Sequence, residues 1–111
     1  MRFEYYNYDE FRKFLRSLST ADAAKLLSKI SKIEQNGLMA SIHSQQVKPL
    51  DHNLYEIRVH LSHSISRSLY FNSMNGHYVI TQTFIKKSQR TPKSEIEKAK
   101  HRRRKFNDPN R

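Results

Sequence analysis

The hydrophobic period of this chain switches from helical to strand spacing near residue 54, and that switch limits its possible folds more than any other feature. Up to residue 33 the apolar side chains recur at helical spacing. Phe11, Phe14, Leu15 and Leu18 form one stripe, and Ala23, Leu26, Leu27, Ile30 and Ile33 form a second. From residue 54 the period is two. Tyr55, Ile57, Val59 and Leu61 fall on one face of a strand, while Leu54, Glu56, Arg58 and His60 fall on the other. That alternation predicts a half-buried antiparallel strand with a polar outer face.

Punctuation divides the rest. Residues 2–6 suit a short strand. Asp9 can cap the first helix and Thr20 the second, where Asp22 favours the positive helix end. Gly37 after Asn36 suits a helix C-terminus. Residues 38–53 read as a loop. Two further strands, 65–72 and 77–85, are joined by Asn75-Gly76, since both residues tolerate positive φ. Pro92 suits the first turn of a last helix, with Thr91 as its cap and Ile96 and Ala99 docking it. The expected fold is α+β: an N-terminal helical hairpin packed on one face of a small antiparallel sheet, with a C-terminal basic helix. The length of 111 residues fits one domain over 1–111, with 107–111 as a tail.

The charge is lopsided. Lys and Arg number 21 against 10 Asp and Glu, for a net +11. Residues 1–50 hold 8 basic and 5 acidic residues, and residues 51–111 hold 13 and 5. The excess thus gathers in the second half, as the footprint of a phosphate-bearing partner would. The absence of cysteine excludes disulfides and thiolate metal sites. No stretch approaches the roughly 20 apolar residues that span a bilayer, and no apolar signal region opens the chain. The expectation is a cytoplasmic protein without a membrane partner.

Chemistry concentrates on the polar strand face. Glu56, Arg58 and His60 project together at two-residue spacing. The arrangement fits an ordinary solvated ion pair or, with Arg67, a phosphodiester site, because guanidinium binds phosphate through two parallel bonds. Arg67 stands among apolar neighbours, Ile65, Leu69 and Phe71. A cation there needs a partner or an opening, so Arg67 either pairs with Glu56 at the sheet rim or faces an anion site. Lys86 and Lys87 end the third strand, and only one of them can share a face with Arg58. The six histidines do not form a ligand set: His60 and His63 cannot share a strand face, and His43 and His52 fall in loops. No metal or other cofactor is expected, and no Gly-rich phosphate loop or serine nucleophile motif is present.

The run Phe84-Ile85-Lys86-Lys87-Ser88-Gln89-Arg90-Thr91-Pro92 brings a resemblance into view. With Lys48-Pro49-Leu50, Leu54-Tyr55-Glu56-Ile57-Arg58-Val59, Arg67-Ser68-Leu69-Tyr70-Phe71, Glu95-Ile96 and Ala99, the chain resembles the RelE/HigB superfamily of bacterial toxins, especially its phage-related HigB-like branch. The resemblance implies a metal-independent mRNA endoribonuclease that works on or with the ribosome. A cognate antitoxin, HigA-like with a helix-turn-helix domain, would neutralise it in a hetero-oligomer. Attack by a ribose 2′-hydroxyl on the adjacent phosphate is the implied chemistry. Carried over, Arg58 and Arg67 hold the scissile phosphate, and Lys86 or Lys87 neutralises the transition state or assists the leaving oxygen. His60 or Glu56 accepts the proton. Lys48, Arg90, Lys93, Arg102 and Arg103 contact the RNA. Some relatives carry a tyrosine in the last helix, whereas no tyrosine follows Tyr78 here. The alternative from a different class is a non-catalytic basic nucleic-acid-binding protein.

Overall fold

The computed structural model describes residues 1–44, 47–73, 76–86 and 90–110. The chain opens with β1 (Phe3–Tyr5), followed by α1 (Tyr8–Arg16), α2 (Thr20–Asn36) and α3 (Leu38–His43). Then come β2 (Val47–Asp51), β3 (Leu54–His60), β4 (Ile65–Asn72), β5 (Tyr78–Lys86) and α4 (Lys93–Asn107). Within the described residues the strands make one sheet in the order β1-β5-β4-β3-β2.

The sheet is mixed, which overturns the expected antiparallel one. The pairs β2–β3, β3–β4 and β4–β5 are antiparallel, but β1 lies parallel to β5, with Phe3 opposite Tyr78 and Tyr5 opposite Ile80. A three-residue strand has too little pattern to announce its direction. Its direction follows from where the chain must go next. The strands β1 and β2 occupy opposite edges of the sheet, so α1, α2 and α3 carry the chain from one edge to the other. In place of a paired hairpin laid on the sheet, α1 packs chiefly over β5 and α2 over β3.

Helices cover both faces, a second departure from expectation. On one face Leu26, Ile30 and Ile33 of α2 and Phe11 of α1 pack with Ile57, Val59, Tyr70 and Ile80. Tyr70 is the centre of an aromatic group there, stacked on Tyr55 at 5.2 Å and edge-on to Phe3 at 4.9 Å. On the other face Ala99 and Ile96 of α4 pack on Leu54, Leu69 and Phe84. On the side of β3 read as solvent-facing, Leu54 and Glu56 are therefore covered by α4 and Thr91, while Arg58 stays partly exposed and His60 exposed.

The helix ends follow side-chain caps one or two residues earlier than read. Asn7, not Asp9, caps α1 by accepting from the Glu10 amide at 3.1 Å. Ser19, not Thr20, caps α2 by accepting from the Asp22 amide at 3.1 Å. Gly37 ends α2 with φ 85°, a conformation that glycine adopts without strain. The stretch read as a loop holds α3 and β2, so His43 is helical. Pro49 is tolerated in β2 because β2 is an edge strand with one side free of ladder bonds. In the expected Asn75-Gly76 turn, Gly76 takes φ 78°, and Asn75 lies outside the described residues. No described helix is long and apolar enough to cross a membrane.

Polar bonds on both flanks set the position of α4. Lys100 Nζ lies 2.7 Å from Asp51, and Arg103 Nη1 donates to the carbonyls of His52 and Asn53 at 2.8 and 2.9 Å. On the opposite flank Arg102 grips both oxygens of Glu10 at 2.8 and 2.9 Å, and also the carbonyl of Thr81. Thr81 is the extra residue of a β-bulge, where Leu69 faces Gln82 but Tyr70 faces Ile80. With α4 pinned on both flanks, its first turn and the preceding Thr91 are held against the middle of β3.

Candidate active site

Strand register lays out the site in rows. Residues directly opposite in an antiparallel pair share a face. Arg58 faces Arg67, which faces Phe84. One row beyond, His60 faces Ile65, which faces Lys86. One row before, Lys48 faces Glu56, which faces Leu69. Glu56, Arg58, His60, Arg67, Lys86 and Lys48 therefore belong to one sheet face, and Lys86 is the lysine that shares it with Arg58. Lys87 lies outside the described residues.

Glu56 is the keystone. Its side chain is 0% exposed and that of Arg67 is 1% exposed. Arg58 Nε and Arg67 Nη1 both donate to Glu56 Oε1, at 2.6 and 2.9 Å. The second oxygen, Oε2, accepts from the Thr91 hydroxyl. Opposed guanidiniums repel one another, and two cations in facing positions of a sheet destabilise it. A shared carboxylate between them reverses that balance. Arg67 thus pairs with Glu56, as one of its two readings had it, but in β4, the central strand of the sheet, rather than at a rim.

These contacts set the protonation states. Burial alone would raise the Glu56 carboxyl; the Thr91 hydroxyl, the Arg58 guanidinium and the charge of Arg67 outweigh it and hold it below the ordinary glutamate value. Both its oxygens are engaged as acceptors, so Glu56 fixes the two arginines and is badly placed to take a proton. Lys86 is drawn below the ordinary lysine value, first by desolvation and then by the positive charge of Arg67, with Glu56 pulling the other way. Arg58 keeps 30% of its side chain exposed. It can therefore reach a ligand while Arg67 backs it from inside.

The remaining cations divide into two sets. Lys48, Arg90 and Lys93 line one cleft beside Thr91. Arg102 and Arg103 are placed elsewhere: Arg102 is bound by Glu10 and Thr81 and lies over the ring of Tyr6 at 5.0 Å, and Arg103 holds the β2–β3 turn. Among the described residues no group of three or more His, Asp and Glu is arranged to hold a metal ion. Thr91 was missed as a site residue because a threonine before a proline and a helical pattern reads as a cap. In the structure the residue at the cap position is Pro92, and the Thr91 hydroxyl is turned to Glu56.

A family model described as phage-derived protein Gp49-like (DUF891) matches residues 13–104. The chain belongs to the Gp49-like family. It is a toxin–antitoxin-associated, RelE-like family, and the match does not extend to the HigB-like branch in particular. A search of curated proteins found no match to the chain. The Gp49-like region spans β2 to β5 and most of α4, so every residue of the Glu56 cluster lies inside it.

Proposed function

We propose that this Gp49-like protein is the toxin of a toxin–antitoxin pair and cleaves mRNA without a metal ion. The observation that carries this reading is the pairing of Arg58 and Arg67 on one buried carboxylate, with His60 and Lys86 in the next row. Two strand spacings separate His60 from Lys86, roughly 10 Å between backbones, enough for a phosphodiester to lie between their side chains.

In the proposed reaction the ribose 2′-oxygen attacks the adjacent phosphorus and the bond from phosphorus to the 5′-oxygen breaks. The products are a 2′,3′-cyclic phosphate and a free 5′-hydroxyl. His60 takes the 2′-hydroxyl proton on a ring nitrogen, as general base. Lys86 gives a proton to the departing 5′-oxygen, and solvent resets both groups. Arg58, backed by Arg67, binds the phosphate oxygens, whose charge grows in the transition state. Glu56 positions the guanidiniums. It does so before substrate arrives, so little reorganisation is left for the reaction.

The same reading includes a cognate antitoxin, with helix-turn-helix architecture, that covers this cationic face, and the ribosome as the place where mRNA is presented. Expression in a bacterial host tests it. Growth should stop on induction, and Arg58→Ala should relieve the arrest while the protein still accumulates. Full toxicity of Arg58→Ala would remove the proposed site. Salt-steep RNA binding without any cleavage would instead support the non-catalytic binder.

A further inference from the structure

Between β2 and the foot of α4 lies a cleft of about 540 Å³, lined by Lys48, Leu50, Arg90, Thr91, Lys93 and Ile96. Its walls are of two kinds. Leu50 and Ile96 are partly buried and pack against the small core of Leu54, Leu69 and Ala99, which fixes them in place. Lys48, Arg90 and Lys93 are exposed cations. Thr91 forms the wall shared with the guanidinium centre, since its hydroxyl bonds Glu56. Lys48 also lines a hollow of about 360 Å³ together with Arg58. One lysine thus belongs to both spaces, and the cleft continues the cationic track that begins at Arg58.

Apolar walls with a cationic rim suit a ligand that is flat and apolar on its faces and anionic along its edge. An unpaired nucleotide has that form: the base sheds water against aliphatic carbon, and the flanking phosphates meet ammonium and guanidinium groups. A free phosphate or a small acid would leave Leu50 and Ile96 unused. An apolar peptide would bring no anionic group to Lys48 and Lys93 at the rim. We infer that this cleft receives one unpaired base of single-stranded RNA, next to the nucleotide whose phosphate lies at Arg58. Lys48 and Lys93 hold the phosphates on its two sides. A base inside a duplex is stacked on both faces and cannot enter, so the site selects single strands. The choice of ligand rests on the RNA-cleaving reading above.

Fluorescence anisotropy with wild-type protein and a short 2′-O-methyl oligoribonucleotide tests this, because the probe has no 2′-hydroxyl to react. Each base is removed in turn by an abasic substitution. One position should stand out, its loss weakening binding about 5- to 10-fold, as expected when about 50 Å² of apolar contact is lost. Ile96→Ala should lower affinity for the intact probe and abolish that single-position penalty. Annealing the complementary strand should weaken binding by a similar factor. If Ile96→Ala does not fold, the abasic scan on the wild type decides alone. A flat abasic profile, equal affinity for the duplex, or no binding of the probe overturns the inference. Cleavage of unmodified mRNA is read separately. Cutting with a flat abasic profile removes the base cleft and keeps the nuclease. A single-position penalty without cutting keeps the cleft and removes the nuclease.

Discussion

Thr91, at the foot of α4, donates its hydroxyl to Glu56, in the middle of β3. The bond ties the last helix to the carboxylate that holds Arg58 and Arg67. Thr91→Val keeps the shape and removes the donor. It should cost about 2 kcal/mol, in the range of a buried hydrogen bond to a charged group. Urea unfolding measures this. The same variant should weaken RNA binding at the adjoining cleft, since the cleft wall loses its anchor. Unchanged stability would mean that the bond is unimportant to the position of α4.

Glu56 gives the fold an acid sensitivity of known sign. Its carboxyl is held lower in the folded state than the ordinary 4.5, so the folded protein binds fewer protons there than the unfolded chain. The stability it confers is complete above the ordinary value and is lost as pH falls through the depressed folded value. Glu56→Gln should cost on the order of 3 kcal/mol at pH 7, because Arg67 is left buried beside a neutral amide. Below the ordinary glutamate range the gap between wild type and Glu56→Gln should narrow. Melting curves from pH 7 to 3 check this, and a constant gap would contradict it.

Much of this architecture can be read from residue spacing, and the failures have physical causes. The helical stripes of Phe11 to Leu18 and Ala23 to Ile33, and the two-residue alternation of Tyr55 to Leu61, are decided by each element's own buried face. The direction of β1 is not, because Phe3, Glu4 and Tyr5 offer no pattern beyond a single alternation. The strand β2 was hidden by Pro49, which is allowed only because that strand is an edge. At the site, alternation does place Glu56, Arg58 and His60 on one face. It cannot say that α4 covers the Leu54 and Glu56 end of that face, since α4 lies some 40 residues further along and is held there by Lys100, Arg102 and Arg103. For the same reason the link from Thr91 to Glu56 has no local signal.

Lys86 should leave its mark on the pH dependence of cleavage. Its ammonium loses its proton at a lower pH than the ordinary lysine value of 10.5. Cleavage that needs the charged form should therefore decline on the alkaline side before that value is reached. Lys86→Arg stays protonated throughout. It should cut more slowly, because arginine yields a proton poorly, and its alkaline decline should move upward or vanish. An unchanged alkaline limb would assign the titration to another group.

The basic residues of α4 should separate by role. Arg102 is engaged by Glu10, the Thr81 carbonyl and the Tyr6 ring. Glu10 is 41% exposed, so that ion pair alone contributes little, and most of the loss comes from the carbonyl bond. Arg102→Gln should cost about 1 kcal/mol in unfolding and leave the salt dependence of RNA binding nearly unchanged. Lys93→Gln should do the opposite, sparing stability and reducing the salt slope by about 1. Equal salt slopes for the two variants would contradict this division.

Mapping mRNA 5′ ends in a translating extract tests the central claim most directly. Wild-type protein should create new ends bearing a 5′-hydroxyl. Arg58→Ala, folded by circular dichroism, should reduce them about 100-fold, the loss expected when a donor to a developing oxyanion is removed. No new ends with the wild type, or equal ends with Arg58→Ala, would contradict the account.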